Sequence, residues 1–315
     1  MSPARPPDPL LRGRDLDAAA FARTHGMDPP QLLRATLGTA LYRCGERVIR
    51  ISRPERTSGG TGRTLAASGL LCHHGVAAAA AADAVVYRTE CGEDVTVWVH
   101  VPNDAGRPFP AFQLGQVVRR LHTIPLTVAA AMLGGELPTL TATTARGRAR
   151  VARLELAAAA GRDTGASAGQ LSAAFERLHD AFVVASRASA PVLLHGDLNN
   201  GNVLWGVLDH PVLCDFEDLT QGPWAWDLVR TQVEVARGLQ PPADLDALIA
   251  GYGKDPATCP GWAAMCQWSA FRLTTWYMAE ALSGTQDMAT ARTLMAWFGA
   301  GFPGLPALEP TPAGR

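Results

Sequence analysis

The chain has 315 residues, with 28 Lys+Arg against 29 Asp+Glu and a formal net charge of −1. Apolar residues make up 47% and charged residues 18%, which excludes a disordered tail protein and a collagen-like chain. The near-zero charge argues against a nucleic-acid binder that works by neutralising phosphates, and the length suggests two domains, each with its own core.

Residues 1–9 are proline-rich and read as a frayed terminus, as does Pro303–Arg315 with its four prolines. Asp15–His25 and Pro30–Ala35 read as short helical pieces. Ala40–Cys44, Gly45-Glu46 and Arg47–Ser52 read as strand, tight turn and strand. A Gly/Ser/Thr-rich stretch follows at Thr57–Thr64. Leu65–His74 has helical spacing and ends before Gly75, a suitable cap. Ala84–Thr89 and Asp94–Val101 read as strands. In the second, Val95, Val97, Val99 and Val101 alternate with Thr96, Trp98 and His100, as a sheet with two different faces requires. Pro102–Pro108 is a break.

Beyond it the pattern turns helical. Leu114, Val117, Val118 and Leu121 share one face of Leu114–Leu121, and Arg150–Ala160 and Leu171–Ser189 follow. The clearly non-helical island is Val192–Phe216. Helix returns at Leu245–Tyr252, Trp262–Ser283 and Thr290–Phe298. No stretch approaches the roughly 20 apolar residues that span a bilayer. Met1–Pro7 has no apolar core of a secretory signal, and the six cysteines include no CxxC pair, so free thiols and a cytoplasmic location are expected. Cys72-His73-His74 has no second ligand pair at zinc spacing.

The island carries the chemistry. It reads Leu194-His195-Gly196-Asp197-Leu198-Asn199-Asn200-Gly201-Asn202-Val203-Leu204, then Leu213-Cys214-Asp215-Phe216-Glu217-Asp218. Asp197 follows an apolar strand, in a turn. Pro211–Cys214 can pair with Val203–Trp205 through a turn at Val207–His210, which brings Asn202 and Asp215 side by side. One Asn and one Asp oxygen, with phosphate oxygens, suit Mg²⁺. Asp197 is then placed to orient a hydroxyl nucleophile and accept its proton.

His195-Gly196-Asp197…Asn202 with Asp215-Phe216-Glu217 resembles the aminoglycoside phosphotransferase/choline kinase family, relatives of the protein kinases. Gly222…Trp226-Asp227-Leu228 resembles its downstream Gly…Trp-Asp-Leu element, and Arg120-Leu121-His122 the Leu-His that ends its first C-lobe helix. Val48-Ile49-Arg50-Ile51 is similar to its phosphate-contacting strand, and Val97–Val101 stands at its interlobe hinge. The resemblance covers about residues 36–300. It implies an α+β, bilobal, protein-kinase-like fold, with an N-lobe over 1–101, a helical C-lobe over 102–315 and a nucleotide between them.

The resemblance also implies roles. Asp197 is the catalytic base, Asn202 and Asp215 hold Mg²⁺, and Arg50 contacts the α/β-phosphates. Gly38 begins the loop over the nucleotide, and backbone groups near Val99 and Val101 meet the adenine edge. The implied reaction is transfer from ATP, with GTP as the alternative donor, to a small-molecule hydroxyl. Antibiotics and related natural products lead as acceptors, with choline, homoserine or a sugar amine as alternatives. No nucleic acid or membrane partner is expected.

His195 is read as bracing the loop and Asp227 as tying its backbone. Glu217 and Asp218 are read either as helping metal or substrate or as solvated capping residues. Most of Trp262, Trp268, Trp276, Tyr277 and Trp297 are read as core, with one or two available to an acceptor, and His122 as a helix-end residue. Arg272 and Trp276, spaced i,i+4, are read as a packing pair or an acceptor pair.

Two departures stand out. Many family members carry a helix glutamate that pairs with the strand base, yet Arg63–His74 has no carboxylate, and Glu55 lies upstream. That absence supports an alternative, a nucleotide-binding pseudoenzyme. Asn199-Asn200 also replaces a frequent His-Pro. Among the 28 basic residues only Lys254 is lysine, so the phosphate role falls to arginine. Residues 126–315 hold 18 acidic and 13 basic residues, a net of −5, against 11 acidic and 15 basic, a net of +4, in residues 1–125. That split suits a polyphosphate on the first part and a cationic or neutral acceptor on the second, or it is chance surface charge.

Overall fold

The computed structural model describes residues 9–36, 38–54, 60–104, 106–205 and 210–308. In chain order the elements begin with α1 (Pro9–Thr24), β1 (Gln31–Ala35), β2 (Thr39–Cys44), β3 (Arg47–Ser52), α2 (Thr61–His73), β4 (Tyr87–Arg88) and β5 (Asp94–Val99). There follow α3 (Ala111–His122), α4 (Leu126–Met132), α5 (Thr144–Ala159), α6 (Ala168–Ala185), β6 (Pro191–Leu194), β7 (Val203–Leu204) and β8 (Val212–Leu213). The chain ends with β9 (Thr220–Pro223), α7 (Trp226–Ala236), α8 (Pro242–Tyr252), α9 (Trp262–Leu282) and α10 (Met288–Gly299). Two compact units result, one of Met1–Pro108, Ala130–Gly135 and Asn202–Asp218, the other of Phe109–Ala129, Glu136–Gly201 and Leu219–Arg315.

The first unit is built on an antiparallel sheet in the order β1-β2-β3-β5-β4. The two-residue side-chain period sorts its faces. Ala40, Tyr42 and Cys44 of β2, Ile49 and Ile51 of β3 and Val95 of β5 form one core with Ala18 and Ala22 of α1. The intervening residues, Leu41, Arg50 and Thr96, are cross-strand neighbours on the other face. Helix α2 is tied down by the Thr61 hydroxyl donating to Asp94 Oδ2 (2.6 Å) and the Ser68 hydroxyl donating to the Ala79 carbonyl (2.7 Å). β7 and β8 pair with Val203 opposite Leu213, and Leu213 exchanges backbone bonds with Ala77 and Ala79.

The second unit is mainly helical, with β6 and β9 as a short antiparallel pair. Trp268 of α9 is its hub, fully buried, stacked on Phe182 at 5.3 Å and edge-on to Phe175 at 5.5 Å. Trp262 is also buried, whereas Trp276, Tyr277 and Trp297 are half-buried. α3 and α8 pack closely through glycines: a Cβ at Gly251 would fall 1.9 Å from the Phe112 carbonyl oxygen.

One element differs from its sequence reading. Gln31–Ala35 is strand, not helix, because five residues are too few for period to decide, and pairing with β2 supplies the ladder. Helices α4 and α7 and strand β9 had no sequence counterpart. Glu55 and the turn residues Val207–Asp209 lie outside the described residues. All six cysteines are free, no helix among the described residues is long and apolar enough to cross a membrane, and no group of three His, Cys, Asp or Glu could hold a metal there.

Candidate active site

The first unit gathers Arg50, Asn202, Asp215 and Glu217. Arg50 is a buried residue of β3 whose guanidinium donates to Glu217 Oε1 and stands 3.7 Å from Asp215 Oδ1. Both acidic residues arrive on the strand pair that precedes them. Asn202 ends the turn just before β7 and Asp215 follows β8, and the Cys214 N–H donates to the Asn202 carbonyl at 3.0 Å. Asp215 has φ 66, a left-handed conformation that Asp adopts more readily than most residues. Phe216 behind it is buried, and the Phe216–Asp218 turn packs on α2. Burial, and then the charge of Asp215, push the Cys214 thiol up to about 12, while Arg34 and Arg50 pull the other way. Cys214 is therefore no nucleophile.

The loop bearing Gly38 is braced from α1. The Gly38 and Thr39 N–H groups donate to the Thr36 hydroxyl (3.3 and 3.2 Å), and buried Arg14 donates to the Thr36 carbonyl at 3.2 Å. Arg14 is held in turn by Glu93, with contacts of 2.6 to 3.1 Å. At the end of β5 the Val99 N–H is taken by Ala80 and the His100 N–H by Glu46 (both 2.9 Å). The Val101 N–H has no backbone partner among the described residues.

The second unit holds Asp197 on the loop that leaves β6. Its residue is exposed and its oxygens face the Asn199 amide, which donates to Oδ2 (3.3 Å) and to the Asp197 carbonyl (3.0 Å). Gly196 has φ 84, a region where a side chain would strain the turn that turns Asp197 outward. The loop backbone is fastened by Asp227, 2% exposed, which accepts from the N–H groups of His195 (2.8 Å) and Gly196 (3.0 Å) and from His122 Nε2 (3.0 Å). His122 Nδ1 meets the Tyr252 hydroxyl at 2.9 Å, so this residue links three elements instead of merely ending a helix. Burial raises the Asp227 carboxyl, but the His122 hydrogen bond and the charges of His122 and His195 outweigh it and hold the group below the ordinary carboxylate range. Buried His195 completes the loop's inner side.

Sequence reasoning missed Arg14, Tyr252 and the orienting role of Asn199. Arg14 and Tyr252 have no local signature. Asn199 was visible only as a departure from a common loop sequence. Lys254 lies over the Trp224 ring, 4.4 Å from its centroid, and Trp224 stacks on Tyr252 at 5.2 Å.

The phosphotransferase enzyme family matches residues 25–268. No curated protein matches at the sequence level. Among solved structures, the macrolide 2′-phosphotransferase MphH of Brachybacterium faecium is similar at 22% identity and a TM-score of 0.53, over 95% of this chain and 100% of that one. The GDP complex of aminoglycoside 2′-phosphotransferase-IIIa gives 14% identity and a TM-score of 0.60, covering 93% and 99%. A choline/ethanolamine kinase family protein of Mesorhizobium loti gives 15% and 0.56, covering 92% and 94%. These structures share the α+β, protein-kinase-like fold with this chain, and with the family match over more than two thirds of its length the chain belongs to the phosphotransferase enzyme family.

Proposed function

We propose that this phosphotransferase moves the γ-phosphoryl group of ATP to a hydroxyl of a small molecule, with a hydroxylated antibiotic or related natural product as acceptor. The observation that carries the reading is Asp197: an exposed carboxylate, oriented by Asn199, on a loop whose backbone is pinned by a buried, ionised Asp227. Such a group orients the acceptor hydroxyl and takes its proton as the bond to phosphorus forms. Arg50, steadied by Glu217, supplies a guanidinium fork for the phosphates. The N–H of Val101 offers a donor to the adenine edge, and the Thr36–Gly38 turn braced by Arg14 covers the nucleotide.

Asn202 and Asp215 offer the hard oxygen donors that Mg²⁺ takes, and they are too few to hold it without phosphate oxygens, which fits a cation that arrives with the nucleotide. When bound there, it would neutralise phosphate charge. GTP is the alternative donor, supported by the GDP complex among the similar structures. A metabolic acceptor is the second reading, favoured by the likeness to a choline/ethanolamine kinase family protein. Glu217 supplies the carboxylate that the helix lacks, which weakens the case for a nucleotide binder without turnover. Transfer from labelled ATP and GTP to a panel of hydroxylated antibiotics and metabolites tests the proposal. Phosphorylated product that disappears in Asp197→Ala supports it, and an unchanged rate in that variant rejects it.

A further inference from the structure

The first unit holds a buried ion pair that the proposed phosphotransfer chemistry does not use. Arg14 of α1 is 3% exposed, and its guanidinium meets Glu93 at 2.6 to 3.1 Å. Its Nη1 also donates to the Thr36 carbonyl at 3.2 Å. One planar fork therefore serves a carboxylate and a backbone turn together, a geometry that suits a guanidinium better than an ammonium point charge.

Glu93 is itself fixed. It closes the turn between β4 and β5, where its N–H donates to the Thr89 hydroxyl (3.1 Å) and its carbonyl accepts from the Thr89 N–H (2.9 Å). From there its carboxylate reaches both legs of the turn between β1 and β2. The first leg is Thr36, through Arg14. The second is Gly38, whose carbonyl accepts from the Arg53 N–H at 3.1 Å, while Arg53 Nε stands 3.9 Å from Glu93 Oε1. The two routes differ in strength. The Arg53 side chain is 40% exposed and its ion pair is long, so solvent screens it. The Arg14 contacts are short and nearly dry, so they carry most of the effect.

Helix α1 has a second anchor that bypasses the turn. The Tyr42 hydroxyl donates to Asp15 Oδ1 at 2.8 Å, one residue after Arg14, and Ala18 and Ala22 pack into the sheet core. Attachment of the helix and position of the turn are thus separable by mutation.

We propose that Arg14 and Glu93 are positioning residues for the nucleotide. From the face of the sheet opposite Arg50, they fix the β1–β2 turn and so set nucleotide affinity without touching the reacting atoms. The inference rests on the reading that the Thr36–Gly38 turn covers the nucleotide. A turn held in place before binding does not lose conformational freedom when the ligand arrives, and that saving appears as affinity.

Calorimetry with Mg²⁺–ADP on the full chain, beside urea midpoints, tests this. Arg14→Lys keeps a charge beside Glu93 and loses the fork. It should raise the dissociation constant about tenfold, the scale of one charge-assisted hydrogen bond. Glu93→Gln keeps an oxygen facing Arg14 and should act in the same direction, which covers the case of a poorly folded Arg14 variant. The double variant should bind no worse than the weaker-binding single one, because both act through one contact. Tyr42→Phe should lower the urea midpoint and leave ADP affinity at the wild-type value. Wild-type affinity in Arg14→Lys, an equal loss of affinity in Tyr42→Phe, or additive losses in the double variant overturns the proposal. Arg50→Ala separates the two readings. If it abolishes ADP binding while Arg14→Lys leaves it intact, the nucleotide reading stands and this inference fails. If the wild type binds no ADP, both fail.

Discussion

The Arg50 guanidinium on β3 is hydrogen-bonded to the carboxylate of Glu217, 167 residues further along the chain and two residues after Asp215. The pair ties the strand proposed to meet the phosphates to the segment that carries a proposed metal ligand. Glu217→Gln should therefore loosen Arg50 without removing it. The expected outcome is a rise in the nucleotide KM with a smaller change in kcat, and a larger loss for Arg50→Ala, about 10²-fold or more in kcat/KM by analogy with removal of one charge-stabilising donor. Steady-state kinetics with varied nucleotide check both.

Asp197→Ala should reduce transfer by about 10²- to 10⁴-fold, the usual contribution of a positioned base, and leave nucleotide binding close to wild type. Asn199→Ala should act in the same direction more weakly, since it removes the amide facing Asp197 Oδ2 and keeps the carboxylate. Single-turnover rates beside nucleotide binding by calorimetry distinguish the two effects.

Asp215→Ala should weaken Mg²⁺-dependent nucleotide binding as well as turnover, unlike Asp197→Ala. Titration of nucleotide with and without Mg²⁺ gives the comparison. The wild type should bind more tightly with the cation and the variant should show little difference.

Asp227 makes stability depend on acid. Its folded-state carboxyl lies below the ordinary range, so it contributes stability that is complete above the unfolded value, near 3.9, and is lost as pH falls through the lower folded value. Urea midpoints should drop on that acid limb in the wild type. In Asp227→Asn the drop should be shallower and the neutral-pH stability lower by about 3–5 kcal/mol, the cost of breaking a buried charged network.

Lys254→Ala should alter neither the nucleotide KM nor kcat, although Lys254 is the only lysine. It covers the Trp224 ring from an exposed position, so the expected cost is about 0.5–1 kcal/mol in stability. A changed nucleotide KM would contradict the assignment of the phosphate role to Arg50.

Most of the fold was legible in the sequence because its elements are long or strongly patterned. The β2–β3 hairpin, the alternating β5 and the apolar faces of α3, α6 and α9 each carry a period that survives without tertiary context. Asp197, Asn202 and Asp215 stand out as candidates in the sequence, because polar residues inside short apolar runs are conspicuous by type and spacing. Gln31–Ala35 was misread because its strand character comes from pairing with β2.

The sequence by itself determined which residues could carry the chemistry, and with Lys254 as the only lysine it left the proposed phosphate contact to an arginine. Only the tertiary structure decided what holds them. Glu217 pairs with Arg50, and Asp227 gathers His122, His195 and Gly196. These partners lie 31 to 167 positions apart. A pairing across that distance is fixed by how buried charges find compensation in the packed chain, and no local pattern encodes it.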